Sequence, residues 1–140
     1  MNQAENHNNR LFVACCIALI VTAMTFAIRA GILGQLGVDF GLSDTELGWV
    51  NAMAFLGFPV ATMVGGLLFN VLGAKRLLAI AFAGHILGLI LTVYAGGFWT
   101  LLLSSFCIGF AHGAVEAGCN PLVAEIFHKN KNTMPNQFLV

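Results

Sequence analysis

Charge is what this sequence lacks most. Asp, Glu, Lys and Arg make up 9% of its 140 residues, six of each sign, so the formal net charge is zero. A soluble domain carries roughly 25% charged residues, and a chain this poor in charge has too little polar side chain to cover a water-facing surface. The zero balance removes any argument for nucleic acid as a partner. Proline is scarce at 3 residues, which leaves long helices largely uninterrupted. The four cysteines, Cys15, Cys16, Cys107 and Cys119, all lie in apolar runs. They have no metal-ligand spacing and form no secreted disulfide framework, so they read as reduced, buried, small hydrophobes. No nucleophile–base pair, metal cluster or phosphate loop is visible. The expectation is therefore not an enzyme, with no cofactor and no metal. The segment Met1 to Asn9 has no Lys or Arg, and no small-x-small cleavage site follows the first apolar run, which argues for a retained span over a signal peptide.

What is present is apolar. Hydrophobic residues reach 59%, with 16 Gly and 12 Phe. That composition suits helices packed closely in lipid. Leu11 to Ile28 carries no charge, and those residues make roughly 27 Å of helix, close to a hydrocarbon core. The pattern predicts an all-α polytopic membrane protein with four transmembrane helices, at about 10–36, 44–70, 77–95 and 98–127. Residues 1–9 read as a cytoplasmic tail. Residues 128–140 read as a cytoplasmic tail or the start of a missing fifth helix.

Ser43-Asp44-Thr45-Glu46 is a capping box, with Ser43 as N-cap and Glu46 at N3. Pro59 and Pro121 are expected to bend the second and fourth spans. A short turn is expected at 71–76. Gly84 and Gly88 are spaced small-x-x-x-small in the third span, and Phe98 and Trp99 mark an interface. If the spans alternate, Arg10, Lys75, Arg76, Lys129 and Lys131 share one side, and Asp39, Asp44 and Glu46 share the other. This positive-inside pattern places both termini in the cytoplasm of a plasma (cell inner) membrane protein, with Arg29 as a cation inside the membrane.

Two stretches carry a resemblance. Gly66, Gly73, Lys75 and Arg76 match the loop between the second and third helices of the major facilitator superfamily, with Asn70 where the family has an acid. The run Gly113-Ala-Val-Glu116-Ala-Gly-Cys-Asn120-Pro121 is similar to the fourth helix of fucose–proton symporters and their relatives. The resemblance implies the first four helices of a fold built from two six-helix halves, with the solute site near the midplane between them. It implies the N-terminal part of a secondary active transporter for a sugar or polyol, driven by proton symport through alternating access. The partners implied are the lipid bilayer, a sugar-like solute, protons and the remaining transporter helices. In that branch the Glu and the following Asn-Pro face the cavity, so Glu116 is the implied sugar- or proton-binding carboxylate, with Asn120 as its hydrogen-bonding neighbour.

The residues themselves support several readings. An ionisable group inside a membrane is by default a functional-site candidate. His112, Glu116 and Asn120 lie four apart, so on a helix they stack along one face. Glu116 binds protons or solute, or only joins two helices. His112 relays a proton or packs; His85 reads as packing. Arg29 binds an anionic substrate, pairs with Glu116, or snorkels outward. Asn51 and Asn120 bond a polyol or hold helices together. Two other readings remain open at this point. One is an organic-anion or nitrate-like transporter using Arg29. The other is a small four-span oligomeric membrane protein or a non-functional truncated product.

Overall fold

The structure is a computed structural model that describes residues 3–133, with side chains for 6–126. Of residues 128–140, expected as a cytoplasmic tail or the start of a fifth helix, 128–133 continue the last helix and 134–140 lie outside the described residues. The fold is all-helical. Among the described residues three helical elements follow one another: α1 (Gln3–Asp39), α2 (Asp44–Val93) and α3 (Phe98–Thr133). All three are long and apolar enough to cross a membrane.

The expected count of four helices is not what the backbone shows. The turn expected at 71–76 is reduced to one non-helical residue, Gly73, with φ 72° and ψ 163°. That region is essentially reserved for glycine. Helical geometry resumes at once on both sides, so the two expected helices meet at a kink with no loop between them, within one 50-residue helical element. A straight helix of that length would run about 75 Å. Instead α2 folds back on itself. Gly57 before the bend packs against Phe106 and Phe110, and Gly88 after it packs against Ser104 and Ile108, the same stretch of α3. We call residues 44–72 the first arm and 74–93 the second arm.

Neither proline interrupts its helix: α2 continues through Pro59 and α3 through Pro121. The capping box is formed. Ser43 Oγ accepts from the Glu46 backbone N–H at 3.4 Å, and the Ser43 N–H donates to Glu46 Oε2 at 2.8 Å. It fixes where α2 starts after the turn at Phe40–Leu42, and Leu47 then tucks beneath Gly37 of α1.

The core lies along α3. Leu101, Ser104, Ser105, Ile108, Ala111, Ala114, Val115 and Cys119 are all buried. The two α2 arms approach α3 through small residues. At Gly109 an added Cβ would overlap the Ala54 carbonyl, and at Gly113 it would overlap that of Phe58. Close backbone approach of this kind drives helix association where lipid offers no hydrophobic gain. α1 is held more sparingly. Its buried side chains Cys15, Thr22 and Arg29 recur every seven residues, a seam flanked by half-buried residues such as Ala18, Leu19 and Phe26. Val13, Ile17, Ile20, Met24 and Ile28 face outward. Trp49 and Trp99 are exposed beside the turns at 40–43 and 94–97, as interfacial aromatics are.

Candidate functional site

The helical positions of α3 sort by neighbour. Residues 106, 109 and 113 face the first arm, and 104, 107, 111 and 118 face the second. Ser105 and His112 face α1. Between α1 and the first arm a cavity of about 240 Å³ opens. It is lined by Phe26 of α1, by Ala54, Phe55 and Phe58 of the first arm, and by His112 and Glu116 of α3.

His112 Nε2 lies 3.7 Å from Glu116 Oε1. The imidazole meets Phe26 and Phe58 edge to face, with centroids 5.7 and 5.2 Å away. Phe26 also meets Phe55 edge to face at 5.4 Å. An ionisable pair is thus held in a wall of phenyl rings. The pair can exchange a proton, and its carboxylate can accept hydrogen bonds from a solute, while the rings offer flat apolar faces.

Arg29 forms a separate centre. Its side chain is 5% exposed. Nε donates to Ser105 Oγ at 3.2 Å and Nη2 to the same oxygen at 2.6 Å. Nη2 also donates to the Val50 carbonyl at 2.8 Å, and Nη1 to Asn51 Oδ1 at 3.4 Å. One guanidinium therefore ties α1 to both α2 and α3. Two of the readings left open by the sequence do not occur here. Arg29 does not snorkel, because it is buried. It does not pair with Glu116, whose ion-pair contact is with His112. Ser105 and Glu116 stand eleven residues apart on α3, roughly 16 Å.

The remaining candidates separate. Asn51 joins the Arg29 centre. Asn120 is exposed and is not among the residues lining the cavity. A spacing of four overshoots the helical turn by about 40° at each step, so Asn120 is rotated by about 80° from His112. Gly66, Asn70, Lys75 and Arg76 are exposed around the Gly73 bend. His85 sits half-buried on the second arm, its Nδ1 3.0 Å from the Ala81 carbonyl. Sequence reasoning did not single out Phe26, Phe55, Phe58 or Ser105. The adjacent Ser104-Ser105 pair in an apolar helix was a usable signal for a buried polar partner; three phenylalanines among 12 gave none.

These features define a polytopic α-helical membrane protein with ionisable groups enclosed among its helices. The Major Facilitator Superfamily matches residues 15–134, and the chain belongs to that family. The relatives it matches include the following transporters. It is 30% identical over 112 residues to a probable nitrate/nitrite antiporter of Thermus thermophilus, covering 79% of this chain and 25% of that protein. A gallate transporter of Pseudomonas putida is 27% identical over 115 residues, covering 82% and 26%. A probable sugar efflux transporter of Helicobacter pylori is 32% identical over 127 residues, covering 87% and 31%. The chain thus spans about a quarter to a third of the length of the curated relatives it matches. No solved structure matches it.

Proposed function

We propose that this chain supplies part of the solute pathway of a proton-coupled secondary transporter working by alternating access. The observation that carries the reading is the His112–Glu116 pair, set in an aromatic cavity between helices that suit a membrane interior. The solute is a sugar or related polyol: its ring stacks on Phe26, Phe55 or Phe58, and its hydroxyls donate to Glu116. The sugar efflux transporter among the relatives supports this substrate class. Proton binding at the pair accompanies solute binding, as in symport, a reading supported by the similarity of 113–121 to the fourth helix of fucose–proton symporters. The two arms of α2 make separate crossings, giving four in all. The Gly73 bend and both termini face the cytoplasm across a cell inner membrane, because Arg10, Lys75 and Arg76 share that side.

A second reading has its own support. Arg29 is a buried cation whose partners here are neutral oxygens, and one relative is a probable nitrate/nitrite antiporter. An anion would have to displace bonds that already join three helical segments, so the sugar reading stands first.

The test is uptake by the complete transporter in proteoliposomes. Glu116→Gln is expected to abolish accumulation driven by a pH gradient and to leave membrane insertion unchanged. Unaltered, still pH-dependent accumulation overturns the reading. Competition by a neutral sugar against a small anion separates the two substrate classes.

A further inference from the structure

Among the described residues two buried nitrogens have no hydrogen-bond partner, His85 Nε2 and His112 Nδ1. Buried polar atoms are rarely left so. Both belong to imidazoles, and their tautomers follow from the other nitrogen of each ring. His85 Nδ1 faces a carbonyl, which only accepts, so Nδ1 carries the hydrogen. His112 Nε2 lies 3.7 Å from the Glu116 carboxylate, which favours the tautomer with the hydrogen on Nε2. In each neutral ring the unpartnered nitrogen is therefore a lone pair.

The packing brings these rings to one place. The second arm and α3 run antiparallel: Gly88 packs on Ser104 and Ile108, Gly84 on Cys107 and Ala111, and Leu77 on Gly118. A Cβ on Gly84 would lie 3.1 Å from the Ala111 Cβ. One residue further along either helix turns the side chain by about 100°. In an antiparallel pair both turns lead to the same side of the seam. His85 and His112 therefore flank one side, and it is the side of α1, since His112 meets Phe26.

We propose that His85 is the acceptor that lets His112 hold a second proton. The proton adds to His112 Nδ1, giving an imidazolium. Its Nε2–H stays on Glu116, and its new Nδ1–H is donated toward His85 Nε2, directly or through one water. No bond breaks beyond the proton's release from its carrier water. The charge formed is matched by the Glu116 carboxylate, which makes it tolerable away from bulk water. This rests on the reading of His112–Glu116 as the proton-handling pair and makes His85 its positioning residue. The other ionisable groups around His85 are few. α3 presents Cys107, His112 and Glu116, and α1 presents the cation Arg29, bound at Ser105 two helical turns from His112, and Cys15 and Cys16, grouped with Cys119. The first arm has none between Glu46 and Lys75, and the second has none besides His85 between Arg76 and Tyr94.

The test is ¹⁵N NMR of histidine-labelled chain in lipid nanodiscs across a pH series. In the wild type, the His85 Nε2 signal should move to that of a hydrogen-bonded acceptor as His112 becomes doubly protonated. His85→Phe should lower the proton affinity of His112 about tenfold, and His85→Gln, whose amide oxygen accepts, should restore most of it. A His85 Nε2 signal that keeps its free lone-pair position throughout overturns the proposal, as does a His85→Phe titration that superimposes on wild type. Should His85→Phe not fold, the wild-type signal decides alone. Uptake by Glu116→Gln separates the two failures: retained pH-dependent accumulation sinks the transport reading, whatever His85 does.

Discussion

Arg29 and Ser105 join α1 to α3 through a single hydroxyl oxygen that accepts from both Nε and Nη2 of the guanidinium. The same hydroxyl donates to the Leu101 carbonyl at 2.7 Å, which holds its lone pairs toward the cation. Ser105→Ala leaves a buried charge short of its main acceptor. Hydrogen bonds to charged groups are worth about 1.5–3 kcal/mol, and a loss of that size is expected in unfolding from lipid nanodiscs. Ser105→Thr, which keeps the oxygen, should lose much less. Equal stability of all three proteins would show that Ser105 is not holding Arg29.

The contact of Gly109 with the Ala54 carbonyl sets how closely α2 and α3 approach. Gly109→Ala must part the helices, at an expected cost of about 1–3 kcal/mol in the same unfolding measurement. Gly31 of α1 has open space around its Cβ position, and Gly31→Ala should be neutral or slightly stabilising. If both variants unfold alike, close packing at Gly109 is not what binds α3.

Phe58 touches His112 edge to face and lines the cavity. Phe58→Leu keeps apolar volume and removes the ring. Such aromatic pairs contribute about 0.5–1.5 kcal/mol beyond area. The Michaelis constant for uptake should then rise about twofold to tenfold, with membrane insertion unchanged. An unaltered constant would place the solute elsewhere.

The fold-back at Gly73 predicts that both ends of α2 lie on one side of the membrane. With native cysteines replaced, Lys75→Cys should react with an impermeant maleimide only from the cytoplasmic face. Asp44→Cys should react only from the opposite face. Labelling of both from the same side would rule out four crossings.

Much of the fold was legible because it is local. The Ser43–Glu46 box needs only its own four residues, and it formed as written. The long apolar runs needed only composition. The bend at Gly73 was placed correctly but drawn too long, because Lys75 and Arg76 look like loop residues and yet extend readily from the end of a helix. The site was less legible because its contacts are distant. His112 and Glu116 share a helix face and were paired from spacing alone. Arg29 meets Ser105 across 76 residues, and no local pattern reports that. Nor does any pattern separate Phe26, Phe55 and Phe58 from the phenylalanines that face outward.

That separation of 76 residues is also an interval of time. At synthesis rates of 5–20 residues per second, Arg29 is made roughly 4–15 s before Ser105. Through that interval the bonds to Val50 and Asn51 are the first it can gain, and the hydroxyl comes later. The contact of α1 with α3 through Arg29 can therefore close only after α1 and the first part of α2 have already been made.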